Sequence, residues 1–328
     1  MKEGNIMKKE LSYYEKIIMI DDVKKIFEKE ITARLDLIKV PCPLFVKSTT
    51  GLQDELSGVE KSVSFTKGDE KFEVVHSLAK WKREALGKYE FPIHKGILTR
   101  MKAIRKDEIV DDIHSLYVEQ WDWEKVILKF DRTIDYLKDT VKSIYKAIRT
   151  TVVLMRKKYP FLDISLPKSI YFITSSELLK MYPDKDAKTR EELITKEKGA
   201  VFIIGIGDKL EDGKPHDKRS PDYDDWKLDG DLLVYDKEIK KAMELTSMGI
   251  RVDKDGLLDQ LKKSHTEERL ERPYHQKIVK EELPYTIGGG IGETRLVMLI
   301  LGAKHIAEVQ ASSWQEETLD ELTDLSIL

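Results

Sequence analysis

Residues that could bind a charged ligand stand close together in the segment 105–124, R-K-D-E-I-V-D-D-I-H-S-L-Y-V-E-Q-W-D-W-E. Its second half alternates in polarity, and successive side chains of a strand point to opposite faces. Gln120 and Asp122 therefore share one face, while Trp121 and Trp123 share the other. An ionised carboxylate on an apolar face is costly without a partner. Gln120 and Asp122 either line a pocket that holds a ligand's amino group or form a solvated stripe outside a tryptophan core, and the alternation alone favours the stripe.

A glycine-rich segment, G-G-G-I-G-E-T-R (288–295), is predicted to form a turn that opens an apolar helix extending to residue 302. It is a poor dinucleotide fingerprint, because the third glycine position holds Glu293 in one frame and Arg295 in the other. Its glycines could instead admit a flat ligand close to the backbone. Arg295, in the first turn of the helix, would then present a fixed cation to a phosphate or a purine face. A packed helix start with a surface arginine explains the same segment equally well.

Few other residues have the spacing of a metal or nucleophile site. The seven histidines show no zinc-binding spacing, and Cys42 stands between two prolines with no feature that would lower its thiol pKa. Asp231 and Glu244 flank a short apolar strand, so a facing strand could bring both carboxylates to one magnesium ion. Two solvated acids are the simpler explanation of that pair from sequence alone.

Composition narrows the class of protein. The chain has 328 residues, of which 41% are hydrophobic and 36% charged, with a net charge of −3. This charge gives no basic footprint for nucleic acid, and no apolar run approaches the roughly 20 residues that span a bilayer. One cysteine excludes an internal disulfide. We therefore expect a cytoplasmic protein that binds neither membrane nor nucleic acid.

The periodicity predicts many short strands with helices interspersed among them. Helices are expected at 8–33, 79–87, 131–158 and 255–279, with another capped by Ser175 or Ser176. Strands are expected at 35–46, 72–78, 116–123, 169–174, 200–207, 232–235 and 249–253, with a long polar loop at 208–226 and a turn or short helix at 238–245. Pro41 and Pro43 would confine the first strand to an edge. This pattern is typical of an α+β fold around a mainly antiparallel sheet.

Seven segments together resemble one family, the ammonia-dependent asparagine synthetases, or aspartate–ammonia ligases, which are built on the class II aminoacyl-tRNA synthetase core. The segments are T-G-L-Q-D-E-L-S-G-V-E-K (50–61), F-E-V-V-H-S-L-A-K-W-K-R (72–83), H-S-L-Y-V-E-Q-W-D-W-E (114–124), G-A-V-F-I-I-G-I-G (199–207), P-D-Y-D-D-W (221–226), E-L-T-S-M-G-I-R-V-D (244–253) and T-I-G-G-G-I-G-E-T-R-L (286–296). The resemblance runs almost end to end. It implies a single catalytic domain over residues 1–328. Residues 1–46 would form a motif-1-like helix and strand at a homodimer interface, and residues 47–328 the adenylate-forming core.

The resemblance also implies an ATP site with magnesium. Arg105 would hold the α-phosphate, as in motif 2 of that class, and Arg295 the adenine face and terminal phosphates, as in motif 3. Asp231 and Glu244 would bind Mg²⁺. The other ATP contacts that it implies are Ser115, Gly290 and Gly292.

For the amino acid, the resemblance implies a pocket for L-aspartate. Gln120 and Asp122 would hold the amino end, and Lys82 and Arg251 would meet the β-carboxylate. The remaining pocket residues would be Asp54, Ser77, Asp224 and Ser247. The implied catalytic set is Asp54, Lys82, Arg105 and Arg295, with Asp54 as the candidate group that takes a proton from ammonium.

The implied reaction is the ATP-dependent amidation of aspartate by ammonia, through a β-aspartyl-adenylate, to asparagine, AMP and pyrophosphate. Glutamine is an unsuitable nitrogen donor, because a glutaminase needs a catalytic cysteine and Cys42 is the only cysteine. Two alternatives stay open. The adenylate could pass to another acceptor such as tRNA, or the chain could be a non-catalytic relative that only binds an amino acid or a partner protein.

Overall fold

Eleven strands form the framework of the residues that the structure, a computed structural model, describes, namely residues 11–328. In chain order they are β1 (Leu37–Lys39), β2 (Phe45–Lys47), β3 (Ser64–Lys67), β4 (Glu70–Val74), β5 (Gly96–Ile104), β6 (Tyr117–Val126), β7 (Tyr171–Thr174), β8 (Ala200–Ile204), β9 (Asp224–Asp236), β10 (Lys241–Arg251) and β11 (Thr286–Gly292). Eight of them form one sheet in the order β1-β5-β6-β11-β10-β9-β8-β7, and β2-β4-β3 form a second.

The strand directions agree with the predicted α+β class. The central pairings of the large sheet, from β5 through β8, are all antiparallel. Only the outer pairings, β1 with β5 and β7 with β8, are parallel within the described part of the chain. The four middle strands, β6, β11, β10 and β9, are therefore neighbours in space although their residues are far apart in the sequence.

Nine α-helices of the described residues surround these sheets. They are α1 (Tyr13–Leu35), α2 (Ala79–Lys88), α3 (Ile134–Lys158), α4 (Ser175–Met181), α5 (Ala187–Lys198), α6 (Lys254–Ser264), α7 (Pro273–Val279), α8 (Glu293–Leu301) and α9 (Glu316–Glu321). Side-chain caps fix where the long helices begin: Ser12 accepts from the Glu15 amide at α1, and Thr133 from the Tyr136 amide at α3. No helix formed by residues 11–328 has the length and apolar character needed to cross a membrane.

The largest hydrophobic core joins one face of the large sheet to α1, α3 and α8. Trp121 and Trp123 of β6 are fully buried in it, and the Phe27 ring of α1 lies 4.6 Å from that of Trp121 between centroids. The prediction that both tryptophans are core residues is confirmed. Because strand side chains alternate, Gln120 and Asp122 point away from this core.

Two predicted elements are wrong in type. Residues 238–245, expected as a turn or short helix, lie mostly in β10, where Met243 and Leu245 are buried against β9 and its neighbours. The glycine segment 286–292 is strand β11 and not a turn, paired on both sides with β6 and β10. In both cases pairing with strands distant in sequence decided the conformation, and local patterns carry no information about such pairing.

Other predictions are wrong in extent. Residues 35–46 form two short strands in different sheets, since Pro41 and Pro43 cannot donate to a ladder. Residues 255–279 form two helices, separated by a left-handed residue, His265 (φ 57°), and by a 3₁₀ turn before Pro273. The first helix begins at Tyr13, and residues 8–10 of its predicted range lie outside the described residues.

Candidate active site

A cavity of about 290 Å³ opens on the sheet face opposite the tryptophan core. The predicted site residues that line it are Asp54, Ser77, Lys82, Arg105, Ser115, Gln120, Asp122, Asp224, Glu244, Ser247, Arg251, Gly290, Gly292 and Arg295. Asp231 does not line the cavity, but it is buried and pairs with Arg219, which does. The structure thus gathers the predicted set at one place, while the roles assigned to its members stay predictions.

Strand register explains why these distant residues meet. Asp122 is paired with Gly290, Gly290 with Ser247, and Ser247 with Asp231, so one row crosses β6, β11, β10 and β9. Directly opposed residues of neighbouring strands point to the same face. A bulge in β10 just after Glu244 shifts the register, so that Glu244 can face the cavity together with Ser247 three residues later.

The glycines of β11 make room for side chains of the neighbouring strand. A Cβ atom on Gly288 would lie 2.0 Å from Oε2 of Glu124, and one on Gly290 would lie 2.4 Å from Oε1 of Gln120. Glu124 and Gln120 therefore lie flat across the backbone of β11. The sequence predicted that a flat ligand could lie close to the backbone of these glycines. In the structure, two side chains of β6 lie there.

Buried ion pairs form the aspartate half of the predicted pocket. Lys82 pairs with Asp122, and its Nζ lies 3.1 Å from the Gly289 carbonyl and 3.9 Å from Glu124. Asp122 is only 2% exposed and also accepts from the Leu78 amide at 3.2 Å. The interpretation of Asp122 as part of a solvated stripe is therefore wrong, because this carboxylate is buried and partnered.

Arg251 is the second buried cation of this half. Its Nε lies 2.9 and 3.1 Å from the two carboxylate oxygens of Glu124, its Nη2 donates to Glu124 at 2.6 Å, and its Nη1 pairs with Asp224. Burial opposes the charge of Arg251, yet Asp224 and Glu124 hold its pKa well above the ordinary value. Burial also raises the pKa of Asp224, and Arg251 offsets this only in part. These contacts fix the guanidinium plane, so that its remaining N–H groups point in a set direction.

Asp54 lies at the cavity wall, 1% exposed, on the loop between β2 and β3. Its Oδ2 accepts from the Ser77 hydroxyl at 2.6 Å, and its Oδ1 accepts from the Leu56 amide at 2.9 Å. The His76 ring lies 3.0 Å from the Asp54 carbonyl oxygen. The carboxylate is thus held in one orientation and faces the cavity without a cation paired to it among the described residues.

The two arginines of the predicted ATP half are less tightly held. Arg105 donates to the His76 carbonyl at 3.4 Å, and its side chain is 25% exposed. Arg295 donates to the carbonyl oxygens of Ile113 at 3.3 Å and Glu244 at 3.0 Å, with 21% exposure. Both guanidinium groups therefore keep N–H donors for an anionic ligand. Ser115, a third residue predicted to contact ATP, also lines the cavity, and its hydroxyl donates to the Tyr117 carbonyl at 2.6 Å.

Asp231 and Glu244 fit a magnesium ion in part. Asp231 pairs through Oδ2 with Arg219, while its buried Oδ1 has no hydrogen-bond partner. Burial raises the pKa of the Asp231 carboxyl well above its ordinary value, Arg219 lowers it, and nearby Glu244 raises it again. No three metal-binding side chains cluster among residues 11–328. Magnesium needs fewer, because it takes one or two carboxylates together with substrate phosphates.

Sequence reasoning missed two residues of this site. Glu124 is fully buried beneath Arg251, and it continues the same-face series of Gln120 and Asp122 by one more step of two residues. Extending the alternation would have found it. Arg219 lines the cavity and lies in the loop 208–226, whose length indicated function but whose sequence gave no position for any side chain.

Comparisons with known proteins identify the family. The model of the aspartate-ammonia ligase family matches residues 14–326. The chain is 51% identical over 315 residues to the aspartate–ammonia ligase of Clostridium tetani, an alignment that covers 95% of this chain and 92% of the relative. It is 53% identical over 312 residues to that of Clostridium perfringens, covering 94% and 93%. The chain belongs to the aspartate–ammonia ligase family.

Solved structures similar to this aspartate–ammonia ligase family member include aminoacyl-tRNA synthetases. The asparaginyl-tRNA synthetase of Pyrococcus horikoshii, complexed with asparaginyl-adenylate, matches with a TM-score of 0.66 at 16% identity, covering 90% of this chain and 68% of that one. The aspartyl-tRNA synthetase of Entamoeba histolytica matches with 0.58 at 18% identity, covering 90% and 57%. The predicted family and the predicted class II synthetase-like α+β fold are both confirmed.

Proposed function

We propose that this chain joins L-aspartate and ammonia to form L-asparagine at the expense of ATP, through a β-aspartyl-adenylate. The observation that carries the proposal is one cavity lined both by Lys82 and Arg251, two buried cations, and by Arg105 and Arg295, two partly exposed ones. The first pair suits the carboxylate of an amino acid. The second suits the phosphates of a nucleotide.

The first step forms the adenylate. One oxygen of the aspartate β-carboxylate attacks the α-phosphorus of ATP, and pyrophosphate leaves. Negative charge spreads over the phosphoryl oxygens during this transfer, so preorganised cations stabilise the transition state most. Arg105 and Arg295 are the candidates, since their backbone contacts hold them at the cavity and leave further N–H donors free.

The second step consumes the adenylate. Ammonia attacks the activated β-carbonyl carbon, the bond to the AMP oxygen breaks, the nitrogen gives up one proton to solvent, and asparagine and AMP are released. The nucleophile must be neutral, whereas ammonium predominates at neutral pH. Asp54 is our candidate for binding ammonium and accepting its proton, because it faces the cavity with a fixed carboxylate that has no internal cation.

Magnesium would be held by Asp231 and Glu244 together with phosphate oxygens. The unpartnered Oδ1 of buried Asp231 supports this assignment, because a buried carboxylate oxygen without a donor gains most from an added cation. When bound, the ion neutralises phosphate charge and orients the leaving pyrophosphate. Arg219, which pairs with Asp231, would lie beside the same phosphates.

Domain organisation and assembly form part of the same proposal. Residues 1–328 act as one catalytic domain, and residues 1–46 contribute to a homodimer interface in the cytoplasm. Exposed apolar side chains on α1 and the following strands support the interface, namely Tyr13, Tyr14, Ile17, Ile38 and Phe45. Sedimentation of the purified chain at two concentrations tests the dimer.

Oxygen transfer tests the chemistry. Aspartate labelled with ¹⁸O in its β-carboxylate should give asparagine that carries one labelled oxygen and AMP that carries the other, because the attacking oxygen stays on phosphorus when AMP leaves. Mass spectrometry of both products measures this. Label in inorganic phosphate together with ADP formation would show that a β-aspartyl phosphate is used instead, and the proposed intermediate would be wrong.

A further inference from the structure

A cluster of fully buried charges lies behind the Asp54 loop and outside the lining of the cavity. At its centre, Oδ2 of Asp222 accepts from Lys80 at 2.7 Å, from His275 at 2.9 Å and from Arg269 at 3.0 Å. Asp222 Oδ1 accepts from the Ser220 hydroxyl at 2.8 Å. The reaction proposed above assigns no role to any of these residues, although burying such charges is costly unless they are well partnered.

The cluster reaches the backbone next to Asp54. Lys80 donates a second hydrogen bond, at 2.9 Å, to the carbonyl oxygen of Gln53. The Gln53 side chain in turn accepts from the amides of Asp54 at 3.1 Å and His76 at 3.0 Å. Both polar groups of the Gln53–Asp54 peptide bond, the Gln53 carbonyl and the Asp54 amide, are therefore held by hydrogen bonds.

The same cluster also holds the residue after Asp54. Glu55 accepts from Arg269 and from Arg272, each at 2.6 Å. Gly51, at the start of this loop, has φ +79° and packs so closely that an added Cβ would lie 2.9 Å from the Cβ of Arg272. Helix α7 and the 3₁₀ turn before it are thus fastened to the loop on both sides of Asp54.

We propose that the Lys80–Asp222–Arg269 cluster is a positioning device for the amidation step, which sets the place and direction of the Asp54 carboxylate toward ammonium. This inference rests on the proposed role of Asp54. The three residues touch no substrate and act only through the loop 51–55. The loop forms no regular strand or helix beyond a short 3₁₀ turn ending at Thr50, so side-chain contacts must supply its rigidity. A misplacement of about 1 Å in a catalytic group can cost roughly 10²-fold in rate.

Lys80→Met tests the inference, because methionine fills a similar volume and Asp222 keeps Arg269 and His275 as partners. Glu55→Gln is a milder second variant, since Glu55 is about 30% exposed and its loss leaves no buried charge unpaired. Lys16→Met is the matched control. Lys16 is also a buried lysine, 7% exposed, that donates to a backbone carbonyl, that of Ser326 at 2.6 Å, away from the cavity.

Two half-reactions separate positioning from general damage. In Lys80→Met, kcat/KM for ammonium in asparagine formation should fall about tenfold to 100-fold. Aspartate-dependent exchange of pyrophosphate into ATP, which needs no ammonia, should stay within about twofold of the wild-type rate. Glu55→Gln should lower kcat/KM for ammonium by a smaller factor and should also leave pyrophosphate exchange within that range. An equal fall in both half-reactions, or a fall in amidation no larger than in Lys16→Met, would overturn the inference.

Hydrogen exchange gives a readout that does not depend on activity. Peptides covering residues 51–58 should exchange faster in Lys80→Met than in the wild type and in Lys16→Met. Unchanged exchange there would refute the positioning role even if amidation fell. If the wild-type chain made no asparagine from ammonium, the proposed function would fail. Amide hydrogen exchange of residues 51–58 would still show whether the cluster holds this loop in place.

Discussion

Replacing Glu124 by glutamine removes one buried charge and keeps the shape of the side chain. Glu124 is fully buried, receives three close contacts from Arg251, and lies 3.9 Å from Lys82. Removing one partner of a buried ion pair typically costs about 3–5 kcal/mol. Asp224 remains as a counter-ion for Arg251, so we expect the lower end, about 3 kcal/mol of unfolding free energy.

Denaturant unfolding of Glu124→Gln and of a surface control measures this loss. Glu84→Gln is the control, because Glu84 pairs with Lys277 at a partly exposed position where such a pair contributes about 0–1 kcal/mol. Glu124→Gln should also raise the KM for aspartate about tenfold, since Arg251 loses a charge-assisted hydrogen bond worth about 1.5 kcal/mol. Equal stability of the two variants would refute the idea that Glu124 fixes Arg251.

The pH dependence of the same variant has a definite sign. Burial opposes ionisation of Glu124, but Arg251 and Lys82 outweigh it and hold its pKa below the ordinary value of 4.5. A carboxyl group with a lowered folded-state pKa contributes stability that is complete above the unfolded-state pKa and is lost as the pH falls through the folded one. The stability difference between wild type and Glu124→Gln should therefore be constant above about pH 5 and shrink under acid. A difference that grew on acidification would contradict this assignment.

Three further predictions concern the nucleotide half and the sheet. Arg105→Ala should lower the rate of pyrophosphate exchange about 10²–10³-fold, as expected for the loss of one preorganised donor to a developing anion, with little change in unfolding free energy. Removing Mg²⁺ with a chelator should abolish pyrophosphate exchange. Asp231→Asn should raise the Mg²⁺ concentration required for the half-maximal rate. An unaltered requirement would contradict the assignment of Asp231 as a magnesium ligand. Gly288→Ala should raise the KM for aspartate and destabilise the fold, because its Cβ would lie 2.0 Å from the Glu124 carboxylate. Gly256→Ala in α6, where an added Cβ would lie 3.3 Å from its nearest neighbour, Oδ1 of Asp253, serves as the control and should be neutral or slightly stabilising.

Local periodicity predicted those elements whose residues alternate or recur strongly. The apolar stripe of α3 and the two-residue alternation of β6 both appear in the structure as expected. The alternation also placed Gln120 and Asp122 on the cavity side, although it could not tell a buried paired carboxylate from a solvated one. That distinction depends on Lys82, which lies 40 residues away in the sequence.

Elements formed by long-range pairing could not be predicted in this way. Strand β11 has four glycines among its seven residues, Thr286–Gly292, and its conformation is set by pairing with β6 and β10 on either side. Only the structure explains why Gly288 and Gly290 have no side chains: the side chains of Glu124 and Gln120 occupy that space. The family resemblance supplied the site residues, whereas the buried cluster around Asp222 was found only from the contacts.

Product analysis tests the central claim most directly. The purified chain is incubated with ATP, Mg²⁺ and L-aspartate, and ammonium, glutamine or tRNA is added in turn. We predict asparagine, AMP and pyrophosphate in equal amounts with ammonium, and no asparagine with glutamine or tRNA. Aspartate-dependent pyrophosphate exchange without asparagine formation would contradict ammonia as the acceptor, and the absence of both would contradict the assignment of an adenylate-forming site.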